Sequence, residues 1–307
     1  MLAVKELCKS YAGVSALSNV SFSLNRGEVV ALLGANGSGK TTTVQSICRL
    51  IEWDQGDITI DNTDIRSSPS FLKKIGAVLG GCRNTNWRLT AKQNADYFAR
   101  LRGFSGTNIR QNIDQLHSAL GLDEHAKKEV MKLSTGNKQK AALLSALSYS
   151  PDFVLLDEPT LGLDFNTVND LQLIIKDQLQ TAEQGFLVTS HDLDFIDKIC
   201  DKVVVLDHGQ LLFEGSLDTL KARLFKYELN IELNQPIDMS ILHSLWGGRF
   251  DLQADMLTIK VNYELPDQSL KMLHYLHENN IQPLRLEIDS LSMEKAYQTL
   301  VQQKDLK

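Results

Sequence analysis

Three short stretches of the chain carry reactive side chains in patterns that suit phosphate chemistry. The first, GANGSGKT, fits the spacing G-x4-G-K-[ST]. Its glycines let backbone N–H groups turn toward phosphate oxygens, Lys40 can reach the β- and γ-phosphates, and the Thr41 hydroxyl is a ligand for Mg²⁺. The sequence therefore predicts a nucleotide-binding loop that comprises Gly34, Ala35, Asn36, Gly37, Ser38, Gly39, Lys40, Thr41 and Thr42.

Carboxylates and a histidine follow two apolar runs further along the chain. In FVLLDEPT, Asp157 is placed to bind Mg²⁺ and Glu158 to polarise a water for attack on a γ-phosphate. The alternative, an acidic loop after a strand, is common when no phosphate loop lies upstream. His191 follows the run GFLVTS. A lone histidine is more often structural, but a histidine at the end of such a strand is well placed to contact the γ-phosphate. Together with the residues above, this assigns catalysis to Glu158, His191 and Lys40.

The third stretch, LSTGNKQK, places Ser134 and Gly136 at the start of a predicted helix. A serine hydroxyl beside unpaired helix N–H groups binds an anion well. The simpler interpretation is an ordinary helix cap. Because the first loop already surrounds the phosphates of one nucleotide, an anion site here indicates a second nucleotide, or the same kind of nucleotide on another copy of the chain.

The elements that must position these residues alternate between buried strands and helices over the first ~220 residues, which predicts an α/β layout with a largely parallel sheet. The strands are EVVALLG, FVLLDEP, GFLVTSHD and KVVVLDHG, whose ends lie where α/β proteins bind ligands. QGDITIDNTDI resembles a hairpin of an antiparallel edge sheet. NADYFARLRG and NIRQNIDQLHSALG predict helices, the second of which ends at a glycine.

The pattern changes near Lys221, which predicts a domain over 1–222 and a smaller α+β domain over 226–307. In the second domain we expect a strand from Tyr227, a helix in DMSILHSLWG, a strand in MLTIKV, a helix in DQSLKMLHYLHENN and a strand in PLRLEI. A last helix, SMEKAYQTLV, is expected to be capped by Ser292.

Composition limits the function classes. The net charge of -6 disfavours nucleic acid as a partner. The four cysteines are scattered without a CxxC pair, which predicts neither a zinc site nor disulfides. The opening MLAVKELCKSY does not resemble a signal peptide, and no apolar run approaches the ~18–20 residues that span a bilayer. Any role at a membrane is therefore expected to need a partner.

In order and spacing, the phosphate loop, LSTGNKQK, LLDEPTLGLD and TSHD resemble the ATP-binding subunit of ATP-binding cassette (ABC) transporters over residues 1–220. The resemblance implies a P-loop NTPase fold with an ABC-type nucleotide-binding domain, an antiparallel β subdomain and a helical subdomain, followed by the small α+β C-terminal domain. It implies ATP and Mg²⁺ as cofactors. It also implies a head-to-tail dimer, with the same chain or a similar one, in which Ser134 and Gly136 serve the neighbour's ATP and Asp164 links the two sites. Tyr11 matches the aromatic that stacks on adenine, a core aromatic being the alternative.

IGAVLGGCRNTNWRLT and the C-terminal appendage resemble subunits that serve ABC-2-type permeases, a group that exports drugs, antibiotics, lipids or polysaccharides. The resemblance implies an ATPase subunit at the cytoplasmic face of the membrane, held there by a separate permease. Trp87 and Arg88 lie where the permease-facing surface is expected; an exposed loop aromatic is the alternative. The cargo is set by the permease and is not encoded here.

Three positions depart from the pattern of this family. Thr135 replaces a frequent glycine, Asn137 a frequent glutamine, and Gly80 the glutamine or glutamate that touches Mg²⁺ and the attacking water. Gly80 puts in doubt how strongly hydrolysis is coupled to transport. It keeps open a regulatory cassette with weak hydrolysis. A soluble ABC ATPase acting on nucleic acid or ribosomes is a further alternative, which the single cassette and acidic balance disfavour.

Overall fold

The computed structural model describes residues 1–80, 85–223, 227–235, 250–254, 257–263 and 266–290. The chain divides into two compact units, Met1–Ser216 and Leu217–Lys307. Each unit has a hydrophobic core of its own. The boundary proposed from the sequence, after residue 222, stays a prediction of where the domains can be separated.

A six-stranded sheet forms the centre of the first unit, and its strand order is β10-β9-β3-β8-β7-β6. The pairs from β9 to β6 are parallel, and β10 pairs antiparallel with β9. The predicted strands are confirmed, since β3, β7 and β8 are buried along their whole length, as strands covered on both faces must be. The bounds are β3 Val29–Leu33, β6 Ile75–Val78, β7 Phe153–Asp157, β8 Gly185–Thr189, β9 Lys202–Asp207 and β10 Gln210–Ser216.

An antiparallel sheet of order β2-β1-β4-β5 covers part of this core. Its strands are β1 Leu2–Tyr11, β2 Val14–Leu24, β4 Gln55–Ile60 and β5 Thr63–Asp64. The predicted hairpin in QGDITIDNTDI is confirmed as β4 and β5. Its two turn residues, Asp61 and Asn62, have φ of 50° and 61°, as the tight turns that suit the twist of paired strands require.

Helices fill the segments between the strands of the first unit. Their bounds are α1 Lys40–Ile47, α2 Ala91–Leu101, α3 Thr107–Ala119, α4 Thr135–Leu147, α5 Phe165–Ala182 and α6 Leu193–Ile199. Both helices predicted between residues 94 and 121 are confirmed as α2 and α3. Helix α2 begins three residues before the predicted Asn94, because Thr90 and Gln93 form a reciprocal capping box.

In the second unit, α7 Leu217–Arg223 precedes a four-stranded antiparallel sheet of order β12-β13-β11-β14. The strands and the remaining described helix are β11 Tyr227–Leu233, β12 Phe250–Ala254, β13 Thr258–Tyr263, α8 Pro266–Glu278 and β14 Pro283–Ser290. Leu229, Ile231 and Leu233 are buried on one face of β11, as their alternation predicts. The helices predicted in DMSILHSLWG and after Ser292 lie outside the described residues.

Within the described part of the chain, no helix is both long and apolar enough to cross a membrane.

Candidate functional site

The predicted phosphate loop connects β3 to α1, at the carboxyl end of the central sheet. Gly39 occupies the cap position of α1 with φ of 105°, and no side chain caps the helix. The first N–H groups of α1 are therefore available to an anion that enters the loop. Ala35, Asn36 and Gly37 are exposed at the rim, while Ser38 and Lys40 are buried.

Glycine is required by close approach at both ends of this loop. A Cβ at Gly34 would lie 2.2 Å from Ser38 Oγ and 2.4 Å from the carbonyl oxygen of Leu206. A Cβ at Gly39 would lie 2.5 Å from Leu17 Cδ2. Since no real Cβ has such contacts, the loop keeps this tight path only with glycine at these positions.

Lys40 is held at the base of the loop by backbone carbonyls. Its Nζ donates to the oxygens of Gly34 (2.7 Å) and Ala35 (3.1 Å), and the residue is 7% exposed. Burial lowers the pKa of this ammonium, while the charges of Glu158 and Asp157 partly oppose that shift. A phosphate oxygen in the loop would give the ammonium an anionic partner that the carbonyls do not provide.

Ser38 and the threonines of α1 add hydroxyl groups to the same loop. Ser38 is 3% exposed, yet its Oγ has no hydrogen-bond partner. A buried polar atom without a partner is rare, and a phosphate oxygen would satisfy it. Thr41 is exposed in the first turn of α1, and Thr42 is partly buried beside it. These positions fit the predicted triphosphate and Mg²⁺ ligands.

Strands β7 and β8 bring the acidic pair beside a threonine that sequence reasoning missed. Asp157 pairs with Thr189 in register, and Thr189 Oγ1 donates to Asp157 Oδ1 at 2.7 Å. The same Oγ1 accepts from the backbone N–H of Glu158 at 3.0 Å. Thr189 is fully buried, and Asp157 is 7% exposed. One hydroxyl thus orients the carboxylate of Asp157 and holds the backbone of Glu158. Its position two residues before His191 was the available signal, but a threonine in a strand is unremarkable.

Glu158 and His191 meet at the carboxyl ends of these strands. The backbone N–H of His191 donates to Glu158 Oε2 at 3.2 Å, and its Nε2 lies 3.2 Å from Oε1. The Nε2 contact does not satisfy Oε1, which is sealed from solvent and makes no hydrogen bond. Glu158 also has φ of 52°, a left-handed conformation that costs a residue with a side chain and is concentrated at functional sites. The pair leaves an acceptor free beside an imidazole.

The second predicted anion site lies at the start of α4. Ser134 caps this helix, its Oγ accepting from the N–H of Asn137 at 3.3 Å. Ser134 therefore has the hydrogen bond of an ordinary helix cap, and its side chain is also exposed to solvent. A Cβ on Gly136 would lie 3.2 Å from Thr167 Oγ1 in α5. None of the hydrogen bonds described for Ser134 joins it to the phosphate loop.

Asp164 begins α5 next to this site. Its Oδ1 accepts from the N–H of Thr167 and its Oδ2 from Thr167 Oγ1, each at 3.0 Å. These hydrogen bonds hold the pKa of Asp164 below its usual range. Asp164 is thus a fixed anionic cap beside the start of α4, and its predicted role between two sites stays a prediction.

Tyr11, predicted to stack on adenine, and Gly80, which departs from the family pattern, are both exposed. Tyr11 ends β1 and is 45% exposed, and the Lys9 ammonium lies 5.1 Å from its ring centroid. Gly80, two residues after β6, has φ of 52°, and a Cβ there would meet nothing within 4 Å. Residues 81–84, which include the nearby Asn84, lie outside the described part of the chain.

Comparison with known proteins identifies close relatives. A family model described as ABC transporter matches residues 17–161. The ABC transporter ATP-binding protein NatA of Bacillus subtilis (strain 168) is 37% identical over 208 residues, 67% of this chain and 84% of that protein. The daunorubicin/doxorubicin resistance ATP-binding protein DrrA of Streptomyces peucetius is 26% identical over 298 residues, 96% of this chain and 90% of that protein.

A solved structure of a dimeric ATP-binding cassette in a post-hydrolysis state, bound to ADP and Pi, has the same fold. It superposes with a TM-score of 0.64 at 26% identity, over 71% of this chain and 99% of that one. The part of this chain that superposes includes one parallel sheet, with the glycine loop before α1 and the two acids at the end of β7 along its carboxyl edge. By sequence, fold and site, the chain belongs to the ABC transporter family as an ATP-binding subunit that hydrolyses ATP.

Proposed function

We propose that this chain powers an ABC-2-type exporter as a subunit at the cytoplasmic face of the membrane, joined to a separate permease. The catalytic part of the proposal rests on one observation. Four side chains lie together at the carboxyl ends of the parallel strands β3, β7 and β8, namely Lys40, Asp157, Glu158 and His191. The export part is supported by DrrA, which is named for drug resistance and aligns with 96% of this chain.

In the proposed reaction each residue has one task. Lys40 leaves the loop carbonyls and binds the β- and γ-phosphates, beside the hydroxyl of Ser38. Glu158 accepts a proton from the attacking water through Oε1, the oxygen that has no hydrogen bond in this structure. His191 orients Glu158 and contacts the γ-phosphate. Thr41 and Asp157 would hold Mg²⁺, which neutralises phosphate charge when bound.

A second copy of the chain completes the site in this proposal. Ser134 and Gly136 present an exposed helix start whose described hydrogen bonds do not reach the chain's own phosphate loop. That start can therefore bind the γ-phosphate of a nucleotide held by another copy. Asp164, fixed beside it, would join the two sites. ATP closes the dimer, and hydrolysis reopens it.

The permease is proposed to dock on the groove of about 270 Å³ between the central sheet and the helical region. Its lining is mostly apolar and includes one charged side chain, Arg102. The lining residues are Cys48, Leu50, Phe71, Leu72, Ile75, Ala77, Leu79, Phe98, Arg102, Ser145, Ala146 and Tyr149. Trp87, which is 54% exposed, would extend this contact surface together with Arg88. A mostly apolar groove suits the apolar face of a short amphipathic helix.

Gly80 favours one second candidate, a regulatory cassette that binds ATP and hydrolyses it slowly. The position lacks a side chain, and no described residue lies within 4 Å of where a Cβ would be. A water can occupy the Mg²⁺ coordination place that a longer side chain would fill. Binding of ATP is therefore expected in both candidates, and the rate of hydrolysis separates them.

Mixed dimers test the proposed assembly. We expect Lys40→Ala and Ser134→Arg subunits to be nearly inactive alone, and to recover partial ATPase activity when mixed. Each heterodimer would have one intact composite site and one site damaged twice. If the stretch LSTGNKQK, here called the signature, served the nucleotide of its own chain, every site would carry one lesion and mixing would restore nothing. Ser105→Arg, an exposed serine away from the signature, is the matched control and should stay active alone.

Two further measurements complete this test. Formation of heterodimers is checked with two differently tagged subunits, so that an inactive mixture containing them contradicts the trans assembly. Co-purification of the full chain with a multi-span membrane protein from the same cells tests the exporter role, and Leu50→Glu in the groove should weaken that co-purification.

A further inference from the structure

We propose that Asn94 is a positioning residue for ATP hydrolysis, which holds the segment 86–90 against the segment that leads into the signature Ser134. The inference rests on the proposed function in one respect, since it takes Ser134 as part of a composite site. The carrying observation is independent of that role: a fully buried asparagine bonds to the backbone of residues 86–90, and backbone hydrogen bonds join this segment to residues 129–131.

Both polar atoms of the Asn94 side chain form hydrogen bonds with the backbone. Its Oδ1 accepts from the N–H of Asn86 at 2.7 Å. Its Nδ2 donates to the carbonyls of Asn86 and Thr90, each at 3.0 Å, and reaches that of Leu89 at the limiting distance of 3.5 Å. Since Asn94 is 0% exposed, no water can replace these bonds if the amide is lost. The amide therefore fixes the path of residues 86–90.

The segment fixed in this way pairs with residues 129–131. Backbone hydrogen bonds and one antiparallel bridge join them: Met131 N–H to the Trp87 carbonyl (3.0 Å), Val130 N–H to the Leu89 carbonyl (2.9 Å), and Thr90 with Glu129. These groups lie directly before the signature. A shift of the first segment therefore moves the second, because their spacing is set by these bonds.

The path from this pairing to Ser134 is short and buried. The N–H of Leu133 donates to the carbonyl of Val130 at 3.1 Å, and the two side chains are 7% and 0% exposed. Beyond Ser134, the ammonium of Lys138 lies 5.7 Å from the centroid of the Trp87 ring. The segment 86–90 thus contacts the chain on both sides of the signature serine.

This arrangement gives Asn94 a defined task. An exposed serine that must meet a phosphate on another subunit needs a position fixed to within about 0.5 Å, which requires support from the residues behind it. Ser134 receives that support through Leu133 and Val130, whose neighbouring segment is held by Asn94.

The test uses the full chain with Glu158→Gln, in which ATP should hold the dimer. Adding Asn94→Leu, which keeps the branched arrangement of heavy atoms but has no polar atoms, should raise the ATP concentration for half-maximal dimerisation about tenfold, the effect expected when buried amide bonds are lost. ATP binding by the monomer, measured with a fluorescent ATP analogue at low protein concentration, should change less than twofold. The matched control is Asn112→Leu, which removes donors to Ser148 and Ser150 in the same helical region and should leave dimerisation within twofold.

Hydrogen exchange provides the second readout. Asn94→Leu should speed exchange at the amides of residues 130–138 and leave those of α1 unchanged, while Asn112→Leu should not affect 130–138. Equal dimerisation by Asn94→Leu and its parent, or equal loss in both leucine variants, would overturn the proposal. If Glu158→Gln itself fails to dimerise with ATP, the proposed assembly is wrong, and the exchange of residues 130–138 still decides the role of Asn94.

A second variant covers the case in which Asn94→Leu does not fold. Val130→Pro removes the N–H that bonds Leu89, at the first position of a short 3₁₀ helix where proline is tolerated. The preceding Glu129 already has ψ of 145°, as a residue before proline requires. We expect the same tenfold change in dimerisation with unchanged ATP binding, and an unchanged dimerisation curve would overturn the proposal.

Discussion

Glu158 and His191 are joined by two contacts of 3.2 Å, one from the backbone N–H and one from the ring of the histidine. The backbone contact fixes Oε2, whereas Oε1 stays buried without a hydrogen bond. The two oxygens of one carboxylate are therefore unequal: the backbone holds Oε2, and the His191 ring covers Oε1. When the ring moves away from Oε1, a water can complete the hydrogen bonding of this oxygen and be polarised for attack, which gives the first prediction.

Glu158→Gln should keep ATP binding and lower the ATPase rate by roughly 10²–10⁴-fold, the usual contribution of a general base. The amide can still accept the N–H of His191, but it cannot take a proton. ATP should consequently hold the mutant as a dimer. Steady-state ATPase and gel filtration with ATP measure the two effects.

The control for this mutation is Glu183→Gln, an exposed glutamate that also has positive φ, at 51°. It makes the same chemical change in the same backbone conformation, away from the site, and should hydrolyse ATP at the normal rate. Normal turnover by Glu158→Gln would remove Glu158 from the reaction.

Thr189→Val should lower kcat about tenfold, since the bond lost is to the charged Asp157 and such bonds contribute about 1.5–3 kcal/mol. Valine has the same shape, so the effect isolates the hydroxyl that donates to Asp157 and accepts from Glu158. Thr189→Ser keeps the hydroxyl and should retain most of the activity. Equal kcat values for the valine and serine variants would contradict this role.

The sequence predicted the strands that bring these side chains together better than it predicted the conformations of the side chains and loops. Apolar runs that end in Asp157 or precede His191 predict strands whose carboxyl ends meet, because parallel strands align those ends. The φ of Glu158 and the unpaired Oγ of Ser38 depend on how loops close against neighbouring strands. Those are contacts between residues distant in the chain, which periodicity does not report.

Helix α2 shows what local signals add. Apolar spacing alone placed its start at Asn94, whereas the pattern Thr90 to Gln93 marks a capping box and moves the start to Ala91. The role of Asn94 could not be read in the same way. Its partners lie before the helix, and its effect passes to residues 129–131, a pairing that no short-range pattern encodes.

Lys40→Met should abolish ATP binding and leave the Tm equal or higher by a few degrees, since a buried charge is removed. Burial lowers the pKa of Lys40 in the folded chain. The charged form therefore opposes folding, and its cost disappears as pH rises from the folded-state pKa toward the ordinary lysine range. Differential scanning fluorimetry with and without ATP measures both effects.

Lys176→Met is the control for this change, because Lys176 is exposed on α5. It should keep both the Tm and its rise with ATP. A Lys40→Met protein that is less stable than wild type without ATP would show that the bonds to Gly34 and Ala35 outweigh the cost of burying the charge.

Truncation after Arg223 should leave ATP affinity within a fewfold. Every residue assigned to the nucleotide lies in Met1–Ser216, and the buried residues of β11 and β13 form a separate core. Isothermal titration of the truncated and full chains compares the affinities, and circular dichroism shows whether the truncated chain is folded. Loss of ATP binding by a folded truncated chain would contradict the separation. We expect the removed part to support dimerisation or to regulate the permease.

Substitutions at Gly80 test whether hydrolysis is limited by a missing ligand. Gly80 has φ of 52°, so alanine and glutamine there should each destabilise the fold by about 1 kcal/mol. Among the described residues, nothing lies within 4 Å of a Cβ at this position. Both variants therefore have the same backbone cost, and only glutamine adds an oxygen that can reach Mg²⁺ or the attacking water.

Gly80→Gln should consequently hydrolyse ATP severalfold faster than Gly80→Ala, and a tenfold difference would correspond to about 1.4 kcal/mol in the barrier. Gly80→Asn separates the effect of side-chain length from that of backbone strain. Asparagine accepts positive φ more readily than glutamine but has a shorter side chain. We expect it to be as stable as wild type within about 0.5 kcal/mol and no faster than Gly80→Ala. Steady-state ATPase with and without the permease, beside urea unfolding, measures rate and stability on the same samples. If glutamine and alanine give the same rate in both conditions, the missing side chain does not limit hydrolysis, and the position serves the backbone turn alone.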